Sequence, residues 1–119
     1  MSRINSLKFG SIVVDNKKYS RDLFLYPDDS IKKRKGGFWK FGSHAIKREE
    51  IEELVKSTPD LLIVGTGTDG IAKLNPDADS FLRDSGVESV VIPSQEAVDK
   101  FNELSSQGKH PAALIHITC

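Results

Sequence analysis

The sequence predicts a mixed three-layer α/β domain, in which an N-terminal antiparallel β-meander packs with a C-terminal β-α-β-α-β parallel unit. Three observations carry this reading: period-two alternation over the first forty residues, a change to helical periodicity from residue 47, and apolar runs that recur between helical stretches. A chain of 119 residues with 38% hydrophobic residues fits a single domain, with residues 1–42 as the meander portion and 43–119 as the α/β portion.

In the first portion, LKFGSIVV and KKYSRDLFLY alternate around Asp15-Asn16, the pattern of a hairpin with Leu23 and Leu25 on one face. Pro27-Asp28-Asp29 reads as a second turn. Gly36-Gly37 reads as a third, because paired glycines accept the positive φ of a tight hairpin joining SIKKRK to FWKF. From residue 47, Ile51, Leu54 and Val55 stand at i, i+3 and i+4 among charged residues, an amphipathic helix that Pro59 ends. LLIVG at 61–65 is apolar on consecutive positions, as a strand buried on both faces requires. Asn75-Pro76 opens a second helix that stops at Gly86, with Ala78, Phe81 and Leu82 on its inner face. The strand SVVIP follows. Ser94 is placed to cap a third helix, striped by Ala97, Val98, Phe101 and Leu104 and ended by Gly108, before a last strand AALIHIT. Right-handed crossovers make the three strands of this half parallel; the meander then either packs on one side of their sheet or extends it.

Composition narrows the function classes. No apolar run approaches the roughly eighteen residues of a membrane span, and the N-terminus MSRINSLKFG lacks the apolar core of a signal peptide. A single Cys forms no internal disulfide, and no Cys/His cluster has metal-ligand spacing, so no metal site is expected. The expected compartment is cytoplasmic. The 17 basic and 17 acidic side chains cancel, yet residues 1–44 carry ten basic and four acidic groups while the remainder carries seven and thirteen. The two halves are therefore +6 and −6, which favours packing against each other or, as a homodimer, against a second copy.

In an open α/β sheet ligands bind beyond the carboxyl ends of the parallel strands. Those ends are Gly65-Thr66-Gly67, Pro93-Ser94 and Thr118-Cys119, rich in small residues and hydroxyls. Gly65-Thr66-Gly67-Thr68-Asp69-Gly70 matches G-x-G-x-x-G, but the helix opens only at Asn75-Pro76 and no acidic residue ends the next strand. A nicotinamide site is not expected, and no other cofactor is. His116 and Thr118 share one face of the last strand, whereas Cys119 points away. A carboxylate on the same residue disfavours a Cys119 thiolate. Lys32-Lys33-Arg34-Lys35, followed by Phe38, Trp39, Lys40 and Phe41, has the composition of a single-strand nucleic-acid platform. With the chain neutral, it reads instead as a solvated basic strand, and no nucleic acid is expected as partner.

The strings Ser6-Leu7-Lys8-Phe9-Gly10, Trp39 to His44, LLIVGTGTDG, EAVDKFNELSSQG and His116-Ile117-Thr118-Cys119 together give the chain a resemblance over nearly its whole length. It resembles the small methanogen-type domain of unknown function, found in an adipogenesis-associated domain-containing protein and, more distantly, in a mitochondrial respiratory complex I assembly factor. The resemblance implies a β portion packed on an α/β portion, with a cleft near the glycine loop. It implies no reaction and no cofactor. The organelle targeting that accompanies the assembly role is not visible in MSRINSLKFG, so that role is not carried over.

The leading expectation is a non-enzymatic cytoplasmic domain whose cleft takes a small ligand or a segment of a partner protein. An enzyme of unknown reaction using the same cleft is the alternative, and nucleic-acid binding through the basic hairpin the third. The wall of the cleft is expected from Gly65, Thr66, Gly67, Ser94, His116 and Thr118, with Trp39 and His44 approaching from the β portion by resemblance. As wall residues, His116 and Thr66 are expected to tolerate truncation to Ala without loss of melting temperature.

Overall fold

A computed structural model describes residues 2–35 and 45–119. In chain order the elements are β1 (Ile4–Lys8), β2 (Ser11–Val14), β3 (Lys17–Tyr19), β4 (Leu23–Leu25), β5 (Ile31–Lys33), β6 (Ala45–Ile46), α1 (Arg48–Lys56), β7 (Leu62–Gly65), β8 (Lys73–Leu74), α2 (Pro76–Asp84), β9 (Ser89–Ile92), α3 (Ser94–Ser106) and β10 (Ala112–Ile115). They form a three-stranded sheet β1-β2-β3, a five-stranded sheet β5-β4-β10-β7-β9 and a two-stranded pair β6-β8. Strands β10, β7 and β9 are parallel, while β4 and β5 continue their sheet in antiparallel sense.

The N-terminal portion both packs on the parallel unit and extends it. LKFGSIVV is two strands, because Phe9-Gly10 turns the chain with Gly10 at φ +83 and the Gly10 N–H donates to Ile117 O at 2.8 Å. Asp15 and Asn16 both take positive φ, +50 and +67, the requirement of a two-residue hairpin turn. KKYSRDLFLY also breaks. Its Asp22 carboxylate accepts the Ile117 N–H at 2.8 Å, so the chain leaves the small sheet there and Leu23 enters the large one opposite Ile115. The Gly36-Gly37 turn falls outside the described residues.

Period-two alternation divides the five-stranded sheet into two faces. Leu23, Leu25, Ile63, Ala113 and Ile115 point to β1, β2 and α3, where they meet Ile4, Ile12, Val14 and Phe101. Phe24, Leu62, Val64, Ala112 and Leu114 point to α1 and α2, where they meet Ile51, Leu54, Ala78 and Leu82. The sheet is thus the middle of three layers, and the consecutive apolar residues of β7 and β10 are explained by burial on both sides.

The second helix begins as expected, with Asn75 at the cap and Pro76 in the first turn. The third does not. Pro93 occupies the cap of α3 and Ser94 is already helical, which frees the Ser94 hydroxyl for a different task at the strand ends.

Candidate functional site

Strands β7, β9 and β10 end together, and the residues just beyond them interlock. The N–H groups of Thr66, Gly67, Thr68, Gly70, Ile71 and Ala72 all donate within the chain, to Ile92 O, Ser94 Oγ, Thr118 O, Gly67 O, Cys119 O and Thr66 O. Gly67 has φ +108, and a Cβ there would collide with the Thr118 and Cys119 backbone. The glycine loop is therefore shaped to receive residues 118–119, not a pyrophosphate: its amides turn inward and α2 starts six residues past Gly70. This geometry departs from the dinucleotide fingerprint in both of its defining features.

Ser94 is fully buried. Its Oγ accepts the Gly67 N–H at 2.8 Å and donates to His116 O at 2.5 Å, tying the glycine loop to the strand that follows β10. Thr66 Oγ1 donates to Ile92 O at 3.1 Å. Both hydroxyls are engaged inside the fold.

His116 is 4% exposed and lies between two partners. Its Nδ1 is 2.7 Å from Asp22 Oδ2 and its Nε2 is 3.1 Å from Thr118 Oγ1. An ionised carboxylate only accepts, which assigns the ring hydrogen to Nδ1. In the neutral imidazole, Nε2 then accepts, and the Thr118 hydroxyl donates to it. Burial alone would raise the Asp22 pKa. The His116 hydrogen bond, the charge the ring carries when protonated, the Ile117 N–H and Arg34 outweigh it and hold the carboxyl below the ordinary aspartate value.

Behind Asp22 stands Arg34, 5% exposed. Its Nη1 donates to Asp22 Oδ2 at 2.9 Å, its Nε and Nη2 form a fork to Glu50 at 2.5 and 2.9 Å, and Nη2 also donates to Ala45 O at 2.9 Å. Glu50 Oε1 in turn accepts the Lys47 N–H that opens α1. A continuous polar chain, Glu50, Arg34, Asp22, His116 and Thr118, thus runs from the first turn of α1 to the strand ends. Charges this deeply placed are tolerated because each is paired and hydrogen-bonded.

Of the residues singled out in the sequence, Gly65, Thr66, Gly67, Ser94, His116 and Thr118 come together here. Gly65, Thr66, Gly67, Ser94 and His116 are buried, and Thr118 is half-buried. The expectation that His116 and Thr66 tolerate truncation is corrected by this burial, since each makes an internal hydrogen bond that Ala would remove. Trp39 and His44 lie outside the described residues. Asp22, Arg34 and Glu50 were not distinguished by the sequence. Asp22 sits in an alternating strand pattern, Arg34 in a basic run and Glu50 on a charged helix face. A lone Arg among three lysines is the one weak signal, since a forked guanidinium suits a buried carboxylate better than an ammonium does. The basic run is also less free than its composition suggests: besides Arg34, Lys32 pairs with Glu53 at 2.8 Å.

A family model described as a protein of unknown function (DUF498/DUF598) matches residues 4–116. The chain belongs to the DUF498/DUF598 family. This DUF498/DUF598 chain is similar to a conserved hypothetical protein of Pyrococcus horikoshii OT3, at 32% identity over 98% of this chain and 99% of that one, with a TM-score of 0.83. It is similar to MT938 at 30% identity over the whole of both chains, with a TM-score of 0.81. A Mth938-like domain of Bordetella pertussis shares the fold at 15% identity, covering 98% of this chain and 85% of that one, with a TM-score of 0.73. MT938 and the Mth938-like domain match the methanogen-type domain that the sequence resembles, and the family's biochemical function is unknown. Among the described residues, no helix is long and apolar enough to cross a membrane, and no three His, Cys, Asp or Glu side chains are grouped to hold a metal ion.

Proposed function

We propose that this DUF498/DUF598 chain binds a small polar ligand, or a polar segment of a partner protein, at the carboxyl ends of β7 and β10, and does so in the cytoplasm. The observation that carries the reading is the hydroxyl of the half-buried Thr118, 3.1 Å from His116 Nε2. Around it, Ser94 and Thr66 direct their hydroxyls inward, whereas Thr118 is partly open to solvent. With its hydrogen given to His116, its lone pairs are offered outward, which suits a ligand that carries N–H or O–H donors.

Nucleic acid is a poor candidate for that ligand, because Arg34 and Lys32 are engaged by carboxylates within the chain and the net charge is zero. Amide resonances followed by NMR test the reading. During titration with acetamide and small carboxamide fragments, shifts should concentrate at Thr68, Thr118 and Cys119 and disappear in Thr118→Val. Saturable shifts confined to another surface would overturn it.

A further inference from the structure

The Asp22, His116 and Thr118 side chains stand in the order carboxylate, imidazole, hydroxyl. Asp22 Oδ2 is 2.7 Å from Nδ1 and Thr118 Oγ1 is 3.1 Å from Nε2. That is the connectivity by which a hydroxyl is activated in acyl transfer, and it is recognised by geometry and roles, not by position in a chain. The geometry points to Thr118 as the nucleophile of an acyl-transfer site that takes small carboxylic esters, with His116 as its general base. This rests on the binding site proposed above, the Thr118 lone pair that would accept a ligand's N–H or O–H being the one that attacks an ester's carbonyl carbon.

Four features of the surroundings support the assignment. Asp22 is fixed from two further sides, by Arg34 Nη1 at 2.9 Å and the Ile117 N–H at 2.8 Å, so it can position the imidazole without moving. The Ser94 hydroxyl holds His116 O at 2.5 Å, which immobilises the backbone that carries the base. Thr118 is itself anchored through its carbonyl, which accepts the Thr68 N–H at 2.8 Å. The Thr118 and Cys119 N–H groups have no acceptor among the described residues. The amide that follows a nucleophile stands beside it by covalent geometry, where it can receive the oxyanion.

The step balances with an ester and water alone. His116 Nε2 takes the Thr118 Oγ proton as the oxygen bonds to the ester carbonyl carbon. The tetrahedral intermediate collapses by breaking the bond to the alkoxy oxygen, which leaves as an alcohol with the proton from His116. Water then attacks the threonyl ester, again deprotonated by His116, and returns the free acid and the Thr118 hydroxyl.

The probe is 4-nitrophenyl acetate, with protein mass and nitrophenol release both followed. All arms are run in the Cys119→Ser background, which removes the competing thiol. One acetyl group should appear on Thr118 by peptide mapping. Thr118→Val should lower the acylation rate roughly a hundredfold or more, while Thr118→Ser, which keeps the hydroxyl, should restore it to within about tenfold. Equal acylation in Thr118→Val, or adducts on surface lysines alone, would overturn the inference. Carboxamide shifts at Thr118 without any acyl transfer would sink the nucleophile and leave the binding site standing; absence of both would remove both.

Discussion

His116 and Asp22 are separated by 94 positions in the sequence and by 2.7 Å in the fold. Their contact joins the break before β4 to the segment after β10, and it gives the imidazole one defined tautomer. Because the Asp22 carboxyl is held below its ordinary value, the unfolded chain takes up the proton first as acid is added. The stability contributed by this group is therefore complete above about pH 4 and is lost as the pH falls through the lower folded value. Urea midpoints measured between about pH 2 and pH 6 should fall steeply at the acid end, and Asp22→Asn should flatten that limb while lowering stability at neutral pH. An unchanged acid limb in the variant would contradict the assignment.

Arg34 is the hub of the buried charges. Arg34→Met leaves Asp22 without that partner and Glu50 without its fork, a loss of about 3–5 kcal/mol for a buried pair broken on one side. Arg34→Lys keeps the charge but cannot present two parallel N–H groups to Glu50, so its loss should fall between wild type and Arg34→Met. Urea unfolding of the three proteins gives the order.

Two glycines with positive φ separate strain from space. At Gly86, φ +76, an added Cβ meets nothing within 4 Å, so Gly86→Ala should cost about 1–2 kcal/mol, the left-handed penalty alone. At Gly67 the same atom meets the Thr118 and Cys119 backbone. Gly67→Ala should therefore cost clearly more than Gly86→Ala and disturb the amide resonances of Thr68 and Ile71, whose N–H groups hold those residues. Equal losses at the two sites would show that residues 118–119 are not seated on the loop.

Ser94→Ala removes one hydroxyl that serves two buried backbone groups, Gly67 N–H and His116 O. Leaving them unmatched should cost about 1–3 kcal/mol with helix α3 intact, because Pro93 occupies its cap. Unchanged stability would show that the Ser94 hydroxyl does not hold these two backbone groups together.

Single-stranded DNA or RNA should not be retained with submicromolar affinity near physiological salt. Fluorescence anisotropy at two salt concentrations checks this. Tight, salt-sensitive binding abolished by neutralising Lys32, Lys33 and Lys35 would reverse the reading.

What the sequence made legible was local. Asn75-Pro76, the stripe Ala97, Val98, Phe101, Leu104, and the doubly buried runs at 62–65 and 112–115 each signal their element within a few residues, and strand topology then brings Gly65, Gly67, Ser94, His116 and Thr118 to one end. Phe9-Gly10 was hidden because alternation continues across it, so two strands read as one. Ser94 looked like a cap because Ser before a helix usually is one; only the fold shows its hydroxyl drawn off to Gly67 and His116. Asp22, Arg34 and Glu50 were illegible for a deeper reason. The burial of each is decided by partners 12 to 94 positions away, a separation that no periodicity encodes.

As proposed, the Asp22, His116 and Thr118 cluster is a site and not only an internal brace. Crystals of the wild-type chain and of Thr118→Val, each soaked with acetamide and related small carboxamides, test it most directly. A fragment donor should lie within hydrogen-bond distance of Thr118 Oγ1 in the wild type, with no ordered fragment there in the variant. Fragments confined to the open groove lined by Tyr26, Pro27, Asp28, Ser30, Ser57 and Thr58, with Thr118 untouched, would contradict it.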